Sequence, residues 1–305
     1  MDMFLSIAHV SGSIPLLVGV GALVGLLSGL FGVGGGFLLT PLLMFLRIPP
    51  IIAAASGSAA IVAASTTGTL QHSRAHTVDY KMGFMLFAGA SVGSVAGVEL
   101  LAWLNRFGPA NSVIRVLYVI MLGGIGGFML AESIHTWRRG IYMSERRFPP
   151  IPKSTWMDSL PFQMKFSRSE IEVSLLMPIA LGILSGFLAS MMGVGGGFVM
   201  VPLMLYVLHM RMHLIVGTSL FQILLTCMLV TVLQSRQNHT VDFMLALLLS
   251  GGSTFGAVAG TKFGRRLRAD QLKILLALIV VGVAAAVTLE LFRTPRVLLS
   301  YVAGE

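Results

Sequence analysis

A single cysteine, Cys227, occurs in 305 residues, and it lies inside an apolar stretch. Neither a disulfide framework nor a thiolate metal cluster is therefore available. Charge is also sparse: Asp, Glu, Lys and Arg make up 11% of the chain against 55% hydrophobic residues, and mean hydropathy is +0.88. A water-soluble fold cannot cover that much apolar surface, so the solvent is largely lipid. A basic leader region is missing as well. Asp2 stands where one would begin and the hydrophobic pattern follows directly, which reads as an anchored first helix and no cleaved signal. No H-E-x-x-H motif, Ser-His-Asp set or intramembrane aspartate pair is found. That argues against an enzyme and calls for no metal or cofactor. The net charge of +9 would suggest a nucleic-acid surface in a soluble protein, but in a lipid-embedded chain positive residues set orientation, so no nucleic-acid partner is expected.

What the chain does have is apolar stretches of spanning length. They run near Ile14 to Phe31, Ile51 to Leu70, Met82 to Leu104, Ser112 to Ile134, Ser174 to Met192, His213 to Gln234, Phe243 to Thr261 and Leu272 to Leu291. The fold class expected is an all-α polytopic membrane protein. Its number of crossings and its oligomeric state are not set by the sequence.

The stretches fall into two copies. Gly32-Val33-Gly34-Gly35-Gly36-Phe37 returns as Gly193-Val194-Gly195-Gly196-Gly197-Phe198, and Pro41 as Pro202, at an offset of 161. With two residues inserted, the alignment continues at 163: Ser56 with Ser219, Gln71 with Gln234, and His76-Thr77-Val78-Asp79 with His239-Thr240-Val241-Asp242. Gly89, Gly93 and Gly97 match Gly252, Gly256 and Gly260 at the same offset. The organisation expected is a first membrane repeat over 1–134, a basic linker over 135–172 and a second repeat over 173–305.

Three adjacent glycines sit poorly in a helix. Each run predicts a break followed by a short half-helix, Phe37 to Leu46 and Phe198 to His209. Broken backbone at membrane depth is tolerated only where protein buries it or it lines a cavity. If each break forms a hairpin returning to its starting side, six Lys/Arg residues (Arg47, Arg106, Arg115, Arg236, Arg293 and Arg296) face one side and the remainder of the 21 the other. The positive-inside rule favours this threading over a single crossing. It makes the repeats inverted, with both termini outward and the linker cytoplasmic. The linker's Arg138, Arg139, Arg146, Arg147, Lys153, Lys165 and Arg168 can also touch anionic headgroups.

With the duplicated glycine motif, the Pro-containing half-helix, Thr218-Ser219-Leu220 and the Val-Asp-aromatic start of a later helix in view, the chain resembles the TauE/SafE group of sulfite exporter and permease proteins. The likeness covers nearly the whole length. It departs where Ala55-Ser56-Gly57 replaces Thr-Ser-Leu and where Ala189-Ser190 stands against Ser28-Gly29, which makes the two halves of any site unequal. The resemblance implies a transporter of sulfite, sulfonates or related organosulfur or organic anions in a bacterial inner membrane.

An anion site also follows from the residues. A half-helix beginning after Gly36 or Gly197 points unsatisfied amides and a positive dipole end at the break. The candidate binding groups are therefore Gly34, Gly35 and Gly36 with Gly195, Gly196 and Gly197. Ser56, Thr218, Ser219 and Gln222 would complete an oxyanion's shell. Gln71 and Gln234 end their helices and read as gating or interfacial residues. Asp79 and Asp242 precede apolar helices and read as caps. The four-residue glycine series read as close packing faces, with Gly123, Gly124, Gly126 and Gly127 expected to serve similarly or to add flexibility. Glu99, Glu132 and Glu290 are the acids nearest to an intramembrane position. The motif His209-Met210-Arg211-Met212-His213 keeps open a soft-metal alternative, against generic lipid-facing methionine. The function expected is alternating access for a small anion bound between the breaks, one repeat rocking against the other, with a proton or sodium ion as candidate coupling ion. An anion channel is a second alternative.

Overall fold

The computed structural model describes residues 2–5, 10–138, 163–166, 171–208, 210–238, 240–264, 266 and 269–293. Residues 139–162 of the expected linker, His209 and His239 lie outside them. Ten α-helices are found among the described residues: α1 (Ile14–Phe31), α2 (Gly36–Phe45), α3 (Pro50–Arg74), α4 (Tyr80–Phe107), α5 (Ala110–Arg138), α6 (Leu176–Met192), α7 (Gly197–Tyr206), α8 (Met212–Gln237), α9 (Phe243–Gly264) and α10 (Ala269–Arg293). Six helices in the described residues are long and apolar enough to cross a bilayer: α1, α3, α4, α5 over 110–128, α8 and α9. The chain is thus a polytopic, almost wholly helical membrane protein. Large apolar side chains that remain exposed, such as Phe84, Val92, Ile120, Leu247, Phe255 and Leu278, have the place of lipid contacts.

Two short hairpins qualify the all-α expectation. Strand β1 (Asp2–Leu5) pairs antiparallel with β2 (Val10–Ser13), and β3 (Gln163–Phe166) with β4 (Ile171–Ser174). Each immediately precedes the first helix of its half, and Ser13 caps α1 by accepting from the Leu16 amide at 3.4 Å. The hairpins correspond at the glycine-motif offset, Asp2 with Gln163 and Ser13 with Ser174. The boundary expected at 172/173 falls within β4. No apolar periodicity marks so short a pairing, so the sequence reading took the segment for linker.

Glycine contacts establish which way the helices run. A Cβ added to Gly21, Gly25 or Gly29 of α1 would collide with backbone of Leu249, Ser253 or Ala257 in α9, so these two helices are parallel. Gly89, Gly93 and Gly97 of α4 meet Ile179, Ile183 and Phe187–Ser190 of α6 in the same sense. Across the middle, Gly68 meets Leu220 while Gly217 meets Thr77, which makes α3 and α8 antiparallel. Asp79 and Gly83 of α4 reach Thr218 and Phe221 in order, so α4 runs with α8. Asp242 and Ser253 of the α9 segment likewise reach Ser56 and Ala60 of α3. Two bundles of parallel helices result, α1–α3–α9 and α4–α6–α8, pointing opposite ways and meeting along α3 and α8. Because α1 and α3 run the same way, α2 must return between them.

Each bundle mixes helices of both halves, so the halves interlock and are not separate lobes. Their faces are the small-residue series, which bring backbones together where lipid supplies no hydrophobic drive. Gly123, Gly124 and Gly127 differ from expectation: a Cβ there meets nothing within 4 Å, and of the four only Gly126 packs, against Val280 and Val281 of α10.

The loops that begin α4 and α9 tie the halves together. Asp79 Oδ1 accepts from the Met82 amide and Asp242 Oδ1 from the Leu245 amide, both at 3.1 Å, and both aspartates are buried. Their own amides donate across to the other half, Asp79 to Thr218 Oγ1 at 3.0 Å and Asp242 to Ser56 Oγ at 2.8 Å. Ser56 is therefore the counterpart of Thr218, not of Ser219 as the alignment had it. The same register pairs Ile61 with Ile223 at the breaks. One inserted residue accordingly lies between α2 and α3, and the other further on, where α8 is a residue longer than α3.

Replacing Thr218 by Val or Ser56 by Ala strands a buried amide, and each is expected to lower stability by about 1–3 kcal/mol. Gly93→Leu or Gly256→Leu forces apart two backbones and is expected to lower it by at least about 1–3 kcal/mol, whereas Gly123→Ala stays within about 0.5 kcal/mol of the parent. Thermal unfolding of the purified protein in detergent, followed by tryptophan fluorescence, measures all five.

Candidate functional site

Helix α1 ends at Phe31 because Gly32, at φ 71°, takes the left-handed conformation and returns its amide to Ser28 O at 2.9 Å. Gly193 ends α6 in the same way, its amide 2.8 Å from Ala189 O. Gly34 and Gly35 (φ 77° and 71°) and Gly195 and Gly196 (φ 72° and 74°) then hold left-handed backbone, which costs an L side chain roughly 1–2 kcal/mol per residue. Gly35 and Gly196 are the N-caps of α2 and α7. The first bonded amides of α2 are those of Leu38 and Leu39, which share the Gly35 carbonyl at 3.1 Å. The Gly36 and Phe37 amides find no acceptor among the described residues, nor do those of Gly197 and Phe198.

The two breaks meet in the middle of the molecule, every residue of both being buried. A Cβ on Gly36 would strike the Val194 backbone, and one on Gly197 the Val33 carbonyl; the Phe37 and Phe198 rings lie 6.4 Å apart. Ile61 of α3 and Ile223 of α8 pack on both breaks. Side chains fill the approach to the breaks. The cleft beside the first break, lined by Gly21, Val24, Gly34, Leu39, Ala60, Ile61, Ala64, Leu249 and Ser253, is mostly apolar and too tight to admit a water molecule.

The other candidates divide. Ser219 is at the first break, donating to Gly32 O at 2.6 Å and to Val216 O at 3.1 Å. Gln222 is fully buried; its Nε2 donates to Thr226 Oγ1 at 2.9 Å, while its Oε1 has no partner among the described residues. Ser56 and Thr218 are buried at the middle of the fold, where their hydroxyl oxygens accept from the aspartate amides across the interface. Gln71 is half-buried, but Gln234 is only 1% exposed and is no interfacial residue: its Nε2 donates to Ser190 O at 3.1 Å, tying α8 to the end of α6. Glu99 is exposed, so it is not a buried acid. Met210 and Met212 are buried in the core and so are not lipid-facing, and His213 is exposed. Among the described residues, no group of three or more His, Cys, Asp or Glu is placed to hold a metal ion.

Two polar residues at the breaks escaped the sequence reading. Tyr118 of α5 is fully buried and donates to Met192 O at 2.7 Å; Thr40 of α2 donates to the same carbonyl at 3.3 Å. They satisfy the last carbonyl of α6, which a helix end otherwise leaves open. The position matching Thr40 is Val201, so only one break carries this clamp. A lone tyrosine within an apolar helix was the available signal, but it carries no spacing that points to a carbonyl in the other half.

Comparison with known proteins agrees with this architecture. The profile of the family described as Sulfite exporter TauE/SafE matches residues 17–287. The chain is 26% identical over 291 residues to the probable membrane transporter protein YunE of Bacillus subtilis, covering 91% of this chain and 98% of that one. It is also 26% identical over 261 residues to the probable membrane transporter protein YjnA of the same organism, covering 86% and 94%. A probable membrane transporter protein of Xylella fastidiosa is 27% identical over 284 residues, covering 89% and 94%. No solved structure matches the chain. Buried helix breaks inside a many-helix apolar shell and a family match across nearly the full length lead to one assignment: the chain is a multi-pass membrane transporter, not an enzyme, and belongs to the TauE/SafE sulfite exporter family.

Proposed function

We propose that the protein carries a small anion, of the sulfite, sulfonate or related organosulfur type, bound where the two glycine breaks meet. The observation that carries the reading is the pair of half-helix N-termini whose first amides have no acceptor among the described residues, deep in the fold. Such amides form an anion cradle that needs no buried lysine. The printed name of the matching family, sulfite exporter, supports the same cargo.

The interlocked helices change the form that alternating access takes. The bodies that rock in this reading are the mixed bundles α1–α3–α9 and α4–α6–α8, hinged along α3 and α8, which the static packing of the helices supports. In this reading the filled approach at Ile61 and Ile223 is an occluded arrangement, which opens to one side as the bundles tilt. On the same reading the expected linker over 135–172, rich in positive residues, faces the cytoplasm of a bacterial cell and the chain lies in its inner membrane, as the positive-inside rule favours.

The purified protein in proteoliposomes is expected to take up radiolabelled sulfite with saturation, as a carrier does and an open channel does not. Gly36→Ala and Gly197→Ala keep ordinary backbone angles but push a methyl into the facing break. Each is expected to reduce the flux by about 10-fold or more, a misplacement of around 1 Å sufficing for such losses. Normal flux in both folded variants would remove the breaks from the transport site.

A further inference from the structure

Hydroxyls inside membrane helices usually donate to a carbonyl one turn back, and this chain follows that habit at Ser58, Thr66, Thr67, Ser185, Ser250 and Thr254. Ser28 does not. It is 0% exposed, in the last turn of α1, and its Oγ has no hydrogen-bond partner among the described residues. Its Cβ lies 3.3 Å from where a Cβ on Gly35 would be, so it stands against the N-cap of α2. An orphan donor and the orphan amides of Gly36 and Phe37 thus occupy the same end of the same half-helix.

Two other hydroxyls near the breaks have already spent their protons. Thr40 donates to Met192 O, and Ser219 to Gly32 O and Val216 O. One of the two Nε2 hydrogens of Gln222 is engaged with Thr226, and its partnerless Oε1 would repel an oxyanion. The hydroxyl oxygens of Ser65, Thr69, Thr231 and Thr240 are also buried without partners among the described residues, but none is among the atoms nearest an N-cap glycine of either half-helix.

The second break is built differently. Ala189 occupies the position of Ser28, and the side chain against the N-cap Gly196 is Ser185, whose Oγ donates to Gly182 O at 3.0 Å. Its half-helix offers amides alone.

We propose that the anion is seated at the first break, on the Gly36 and Phe37 amides and the Ser28 hydroxyl, so that Ser28 is a substrate-binding residue and the two breaks are unequal. This rests on the reading of the breaks as the anion site. Ser28 supplies a neutral donor of fixed position, suited to an oxyanion that must also be released. The second break then completes the enclosure without a side-chain donor of its own.

The test is equilibrium binding of radiolabelled sulfite to the full chain in nanodiscs. Ser28→Ala is expected to raise Kd by about 10-fold or more, the usual effect of losing a hydrogen bond to a charged group. Ser28→Cys, which keeps the volume but donates weakly, is expected to behave like the alanine variant. Ser28→Thr restores the hydroxyl and is expected to return Kd to within about threefold of the parent, while Ser185→Ala leaves it unchanged. Parental Kd in the alanine or cysteine variant overturns the proposal, as does a loss confined to Ser185→Ala, which would seat the anion at the second break. In either case, loss of binding in Gly36→Ala and Gly197→Ala would leave the break site standing. If the parent protein itself binds no sulfite, the proposal is overturned; transport of another anion by that protein, abolished in Gly36→Ala and Gly197→Ala, would still leave the break site standing.

Discussion

Peptide groups that leave a helix inside a hydrocarbon layer have no water to turn to, and an unpaired one costs several kcal/mol. The fold is organised around two places where this cost is met. At Gly32 and Gly193 the chain turns left-handed and closes the end of α1 or α6 on its own carbonyls. The carbonyls that remain are covered from the opposite half, Gly32 O by Ser219 and Met192 O by Tyr118 and Thr40. Each break is therefore held by residues distant in sequence, and neither half can form its break alone.

That dependence explains the interlocking. The small-residue faces of α1 and α4 have complements only in α9 and α6, and the amides of Asp79 and Asp242 find their acceptors only across the middle. An inverted arrangement of two like units lets every such contact be made twice with the same chemistry. The departures from that duplication are then the informative positions. Thr40 faces Val201 and Ser28 faces Ala189 in the alignment, while Ser185 faces Val24, so the polar side chains are arranged differently at the two breaks.

The aspartates bear on coupling. Among residues whose side chains are described, the buried acids are Asp79 and Asp242, and each carboxylate accepts a helix amide as a cap. Their position suits the amide ends and the positive dipoles of α4 and α9. Polar groups otherwise described as buried are hydroxyls, side-chain amides, the His72 imidazole and backbone.

Composition and periodicity were enough to establish a lipid-embedded helical chain, because hydropathy over about 20 residues is a local property with one physical reading. The glycine runs marked the helix ends for an equally local reason, since backbone that must turn left-handed selects glycine. The caps at Asp79 and Asp242 were legible from their place before an apolar run. Partnership across the fold was not. Ser56 and Ser219 align by letter, yet the contacts pair Ser56 with Thr218, because an extra residue in α8 shifts the register without leaving a trace in hydropathy. The hairpins, the burial of Gln234, the clamp on Met192 and the idle hydroxyl of Ser28 all depend on which helix lies alongside. A single chain encodes that choice only through side-chain fit between residues from 44 to 186 positions apart, which is why tertiary structure alone decided it.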